Sequence, residues 1–307
     1  MSALFARPAA GTRAALLGTL VHAPTFGALD VVLRGALVYD ERGVITDVLD
    51  QAKETKELKE LLSADPKVGL VVDYGNRLIT PGLIDAHCHA PQYVFTGTGM
   101  DLPLLQWLNK YTFPCESRFQ DLEFARQAYS KAVSRHVSFG TTFCSYFGTI
   151  HAAAADLLVD IVETTGQRAF VGKVSMDRNS PDFYIEETAR GIADAEGFCR
   201  RTLARSEAGK AFLAQAEAEA DAGAQQPATK FSLARSLLNS PQVPLVLPCV
   251  TPRFVPTCSV PMLTQLGALS AKYGLPLQSH LSESQGEIAW VRDLHPECSS
   301  YGDVYDR

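Results

Sequence analysis

The sequence predicts an α/β protein, in which a short β-rich segment precedes repeated strand–helix units around a parallel sheet. Three observations predict this. The apolar runs of the first 80 residues are short, strand-like and separated by turn residues. From Leu83 onward strand-like runs alternate with helical stretches, the rhythm that places helices outside a parallel sheet. The chain of 307 residues is 46% hydrophobic and 20% charged, a balance that buries a core and excludes disorder of the whole chain.

In the first segment, residues 1–80, strands are expected at Ala15–His22, Asp30–Tyr39, Val44–Val48 and Val68–Asp73. Pro24, Gly27 and Glu41-Arg42-Gly43 mark turns between them. Only Gln51–Ser63, with apolar residues on one side of a charged stretch, reads as a helix. In the second segment, residues 81–307, strands are expected at Leu83–His87, Thr141–Phe147, Arg168–Val174, Pro244–Val250 and Pro276–His280. Helices are expected around Leu104–Tyr111, Leu122–Val137, Ala152–Thr165, Ile185–Ala204, Pro261–Tyr273 and Glu287–Leu294. A low-complexity insertion near 206–240, rich in Ala, Glu and Gln, interrupts the rhythm and reads as an exposed helix or disordered loop. Both a doubly wound sheet and a (βα)8 barrel fit this pattern. At a spacing of about 48 residues per unit, eight units would need about 390 residues beyond Leu83. About five fit, so a barrel would be partial and the chain truncated at its carboxyl end.

Several function classes are disfavoured. With 28 Lys and Arg against 34 Asp and Glu, the net charge is −6, and no broad basic face is available for nucleic acid. No apolar run approaches the ~20 residues of a membrane span. Neither a dinucleotide-binding glycine pattern nor a P-loop occurs. The seven cysteines form no CxxC pair and read as reduced thiols of a cytoplasmic protein. Arg7 and Arg13, with no acid before Asp30, weakly resemble a transit peptide. The strand expected from Ala14 leaves too little chain for one.

The strongest chemical signal is Pro81-Gly-Leu-Ile-Asp-Ala-His-Cys-His89. Strand alternation puts His87 and His89 on one side, at the carboxyl end where parallel barrels keep their sites. Two imidazoles there suit zinc or iron. A second signal is Leu277-Gln-Ser-His-Leu-Ser-Glu283, where another strand ends in a histidine. His280 is a candidate third ligand, and Glu283 a carboxylate placed to move protons. In Val250-Thr-Pro-Arg-Phe254, Arg253 offers a planar donor fork and Phe254 a stacking face. Gln92 could hydrogen-bond a heterocycle edge. His22, His136 and His295 carry no chemical expectation, Trp107 and Trp290 read as packing residues, and His151 stays open as a further site residue.

The block PGLIDAHCH resembles the first-strand motif of the amidohydrolase superfamily. His89-Ala-Pro-Gln-Tyr93, the run from Asp101-Leu-Pro-Leu-Leu-Gln-Trp107 to Phe119, Gly166 to Val174, VTPRF and QSHLSE are similar to the guanine deaminases within it. Together these blocks extend over roughly residues 15–307. The resemblance implies a partial TIM-like (βα)8 barrel with an amino-terminal β-sandwich segment. It implies one zinc ion held by His87, His89 and His280. It implies a purine contacted by Gln92, Arg253, Phe254, His280 and Glu283, with Glu283 catalytic. The implied reaction is hydrolysis of guanine to xanthine and ammonia, a step of purine catabolism, with room for a homodimer. Members of the family also carry a histidine after the sixth strand and a zinc-binding aspartate after the eighth. Neither has a counterpart here, so this chain alone is expected to be nearly inactive. Pro91 replaces a small polar residue common in the family. Two alternatives are a silent form acting through a partner subunit and an amidohydrolase on another heterocycle. The DLPLLQW and VTPRF blocks disfavour the second.

Overall fold

The structure is a computed structural model that describes residues 8–54, 56–221 and 243–307. The chain divides into two compact units, Met1–Gly82 and Leu83–Arg307.

The first unit is a single four-stranded sheet in the order β3-β2-β1-β4, built from β1 (Arg13–His22), β2 (Asp30–Asp40), β3 (Ile45–Asp50) and β4 (Val68–Ile79). The first three form an antiparallel meander, and β4 returns parallel to β1. Ala15, Ala36 and Val38 on one face pack against Leu58 and Leu62 of the helix Leu58–Ala64. That helix is shorter than the Gln51–Ser63 expected. The amide of Gln51 accepts from the Leu58 N–H at 2.8 Å and donates to the Lys56 carbonyl at 2.9 Å. It thereby occupies groups a continuous helix would use itself, so Gln51–Lys53 is only a 3-10 turn.

The second unit holds a parallel sheet β5-β6-β7-β9, made of Leu83–His89, Thr141–Phe147, Arg168–Gly172 and Val246–Pro248. A two-stranded parallel pair joins β8 (Val174–Ser175) to β10 (Thr251–Pro252). The fifth expected strand, Pro276–His280, is not regular. It adds only the parallel bridges Val250↔Leu277 and Phe254↔His280. Pro248, Pro252 and Pro276 lack the N–H groups a longer ladder needs.

Helices cover the sheet as parallel connections require. Leu122–Ser138 is capped by Asp121, and Ala152–Thr165 ends on Gly166 in the left-handed conformation. Thr188–Leu203, Val260–Tyr273 and Gln285–Leu294 follow, the last opened by a Ser284/Glu287 capping box. The first part of the expected insertion is the helix Glu207–Asp221. It is not simply solvent-exposed, because Phe212, Leu213 and Ala216 join the core that also holds Leu203 and Phe198. The rest of that stretch lies outside the described residues. No helix among the described residues is long and apolar enough to cross a membrane.

Gly172 ends β7 where three chain segments meet. A Cβ there would collide with the Thr251 hydroxyl and the Gln278 amide. Gly172→Ala is therefore expected to destabilise the second unit by about 1–3 kcal/mol through overpacking. The fall in urea midpoint measures this, and an unchanged midpoint would show that the contact relaxes freely.

Candidate metal centre

The strand β5 delivers His87 and His89, and the segment after Pro276 delivers His280. One ring nitrogen of each lies within 4.8 Å of the others. Ring centroids are 5.0 Å apart for His87–His89, 4.8 Å for His87–His280 and 5.0 Å for His89–His280. Phe147, the last residue of β6, touches all three rings at centroid distances of 4.6–4.8 Å. It forms the apolar floor of the trio, a role not legible in the sequence, where an apolar residue at a strand end reads as core.

The imidazoles are held neutral. Burial lowers the pKa of His87, and burial followed by the charges of His280 and Arg253 drives that of His89 well below the ordinary histidine value. His280 is pushed down to about 4, again chiefly by burial. Its Nδ1–H donates to the Arg253 carbonyl at 2.6 Å, leaving the Nε2 lone pair facing the other rings. The Nε2 atoms of His89 and His280 are 2.9 Å apart. Nδ1 of His89 is buried without a partner. Three neutral imidazoles with converging lone pairs fit a zinc-type cation, whose tetrahedral ligands at about 2.0–2.1 Å would be separated by about 3.4 Å.

A cavity of about 540 Å³ opens over the trio, within the size range of small-molecule sites. Gln92, Arg253, Phe254 and Glu283 all line it. Gln92 sits in a 3-10 turn, Ala90–Phe95, whose first two residues, Ala90 and Pro91, are buried. Trp107 also lines the cavity, its indole N–H donating to the Thr98 carbonyl at 2.9 Å. Glu283 follows Ser282, whose φ of +57° is unusual for a residue other than glycine. Its backbone N–H donates to Glu287 at 2.7 Å. Burial, then the neighbouring Glu287, raises the pKa of Glu283, with Arg253 opposing.

Arg253 is buried, and its fork is already engaged. Nη1 and Nη2 donate to the two carboxylate oxygens of Glu116 at 2.5 and 3.3 Å. Tyr184 donates to the same carboxylate at 2.9 Å, and the Phe113 ring lies 5.0 Å from the guanidinium carbon. Glu116 is fully buried and carries no motif in the sequence. Replacing it with Gln leaves a buried guanidinium without its counter-charge, so Glu116→Gln is expected to cost about 3 kcal/mol of stability. Chemical denaturation checks this, and an unchanged midpoint would show that Arg253 does not need the carboxylate.

The remaining histidines stand outside the trio. His151 occupies the residue before the helix Ala152–Thr165, makes no side-chain capping bond there, and does not line the cavity. His22 faces Asp30 at 3.4 Å, and His295 accepts from Arg178 at 3.1 Å. Trp290 belongs to a smaller cavity with Phe113 and Phe254. His136, expected only to sit at a helix end, lies 3.5 Å from Asp85 and 3.7 Å from Cys88.

Residues 78–307 match the amidohydrolase family. The chain is 40% identical over 294 residues to the guanine deaminase of Dictyostelium discoideum, covering 94% of this chain and 57% of that protein. It is 35% identical over 292 residues to the guanine deaminase of Homo sapiens, covering 94% and 56%. A crystal structure of guanine deaminase from C. acetobutylicum, with guanine bound in its active site, superposes with a TM-score of 0.75 at 31% identity. That match covers 96% of this chain and 59% of the other. The chain thus spans little more than half the length of the curated relatives it matches.

Proposed function

The chain belongs to the amidohydrolase family, and from this premise we propose that its site hydrolyses guanine to xanthine and ammonia with one zinc ion held by His87, His89 and His280. The observation that carries the reading is the convergence of those three neutral imidazoles under a cavity lined by Glu283, Gln92, Arg253 and Phe254. The similarity to guanine deaminases, one of them solved with guanine bound, supports the choice of substrate.

When bound, zinc supplies Lewis-acid activation of the attacking water. The protein's own residues do the rest. Phe254, buried at the cavity wall, gives the purine ring an apolar face. The Gln92 amide, able both to donate and to accept, reads the polar edge of the ring. Arg253 keeps further N–H donors beyond the two that Glu116 occupies, and these can face a purine oxygen. Glu283, with its raised pKa, delivers its proton to the ring nitrogen beside C2. Of the two protons of the attacking water, one is passed by Glu283 to the amine, which leaves as ammonia, and the other restores the Glu283 carboxyl. Water supplies the oxygen of xanthine, so guanine and water balance xanthine and ammonia. All seven cysteines are unpaired, consistent with a reducing compartment such as the cytoplasm.

The test is release of ammonia and xanthine from guanine by the zinc-loaded chain, with guanine binding measured in parallel. Guanine-dependent release that disappears on chelation supports the reading. Faster release from another aminated heterocycle, or guanine binding unaffected by Phe254→Ala, would overturn the substrate assignment.

A further inference from the structure

Beside the imidazole trio lies a second group of metal-ligating side chains that the proposed reaction does not use. Asp85 and Cys88 come from β5, Cys144 from β6 and His136 from the helix Leu122–Ser138. One ligand atom of each lies within 4.8 Å of all the others. Strict alternation would put Asp85 and Cys88 on opposite sides of the strand. The β5–β6 register slips between Asp85 and Cys88, and both join the same cluster.

The hydrogen bonds behind His136 decide which way its lone pair faces. Gln167 donates its amide N–H to the Thr141 carbonyl at 2.8 Å, so its oxygen faces Tyr146. Tyr146 donates its hydroxyl to that oxygen at 2.9 Å. The Tyr146 oxygen is therefore the acceptor for Nδ1–H of His136, at 3.1 Å. That arrangement leaves Nε2 of His136 facing Asp85 Oδ2 at 3.5 Å and Cys88 Sγ at 3.7 Å. The position between them is filled either by a proton on Nε2, which Cys88 and Asp85 favour, or by a metal cation in its place. The nitrogen–oxygen separation is long for a hydrogen bond. Both separations instead match the edges of a zinc tetrahedron. With bonds of about 2.0–2.1 Å to nitrogen, 2.0–2.2 Å to oxygen and 2.3 Å to sulfur, those edges are about 3.4 Å for nitrogen–oxygen and 3.6 Å for nitrogen–sulfur.

We propose that Asp85, Cys88, His136 and Cys144 form a second cation site, tetrahedral and thiolate-containing, for zinc or a divalent ion of similar softness. Two sulfurs, one imidazole and one carboxylate make a closed donor set of the structural kind. Tyr146 and Gln167 supply the outer support that fixes the histidine tautomer. The cavity over the trio is also lined by Asp85, Cys88 and His136, which gives an ion a way in. The site ties β5 to β6 and to the helix behind them, and so holds the strand that carries His87 and His89. The second oxygen of Asp85 accepts from the His87 backbone N–H at 3.0 Å, which links the two centres directly.

The test uses cobalt(II) as the probe, added to the reduced 307-residue protein without oxygen. Sulfur-to-cobalt charge-transfer absorption in the near ultraviolet reports thiolate ligation, which a trio of imidazoles cannot produce. The expected result is such a band in the unaltered protein, retained in His280→Ala and in Cys298→Ser, weakened in Cys88→Ser and in Cys144→Ala, each of which keeps one thiolate, and lost in the double variant Cys88→Ser/Cys144→Ser. Cys88→Ser alone, at a partly exposed position, carries the test if the buried Cys144 variants do not fold. Absence of the band with two equivalents of cobalt bound would overturn the proposal. So would an undiminished band in Cys88→Ser, its loss in Cys298→Ser, or a Cys88–Cys144 disulfide in the purified protein. None of these readouts depends on guanine turnover.

Discussion

Replacing His280 with Ala is expected to remove one equivalent of zinc and, in a protein extended to the length of its relatives, to lower guanine hydrolysis by about 10³-fold or more. The magnitude follows from the several kcal/mol of charge stabilisation that a bound metal contributes, at a factor of ten for each 1.36 kcal/mol. In the proposed site His280 would ligate through Nε2, whose lone pair is left free because Nδ1–H donates to the Arg253 carbonyl. Removing the ring leaves only two imidazoles, both from one strand, and these cannot close a tetrahedron alone. The backbone anchors of His280 survive the loss of the ring. The backbone carbonyl of His280 still accepts from the Tyr305 hydroxyl at 2.9 Å, and its N–H still donates to the Arg253 carbonyl. Elemental analysis alongside ammonia release checks the prediction, with far-ultraviolet circular dichroism as the control for folding. Unchanged zinc content in a folded variant would show that the trio is not the metal centre.

The contrast between His280 and Glu116 shows what a sequence can and cannot reveal. His87 and His89 were legible because their spacing is local. Two residues apart on one strand, they must share a side, and the apolar run before them marks the strand. His280 and Glu283 were legible for the same reason, at the end of a second apolar run. The four strands of the first unit, four of the five expected in the second, and most helices followed from runs whose period is a property of a few consecutive residues. Glu116 could not be found this way. It lies on a short helical turn, and its partner Arg253 is 137 positions away. Only the meeting of that turn with the segment after β9 makes a buried ion pair of them. The group around His136 was hidden likewise, because three elements contribute to it and a register slip turns Asp85 toward it. The weakness of the expected strand Pro276–His280 has a different origin. Its apolar pattern suits a strand, but pairing depends on donors in the neighbouring segment, and prolines remove several of them.

In a protein extended to the length of its relatives, Glu283→Gln is expected to lower guanine hydrolysis by about 10²–10⁴-fold, the usual contribution of a positioned proton carrier, while leaving zinc in place. Glu283 lines the cavity with His280 but lies outside the group of metal-ligating atoms, so its loss spares the metal. Its position is set by the backbone, through the left-handed Ser282 and the N–H bond to Glu287, and glutamine preserves both. What glutamine removes is the proton. Burial and Glu287 raise the carboxyl pKa above its ordinary value, which enlarges the protonated fraction available near neutral pH. Above that pKa the protonated fraction falls tenfold per pH unit, so the rate of the unaltered enzyme should decline on its alkaline side. In Glu283→Gln that limb should vanish and a low, flat rate remain. A pH–rate profile of kcat for both proteins, with zinc content measured on the same samples, separates this from metal loss. A variant that keeps its zinc and turns over guanine within tenfold of the parent, with the alkaline limb intact, would remove Glu283 from the chemistry and leave another group as the proton carrier.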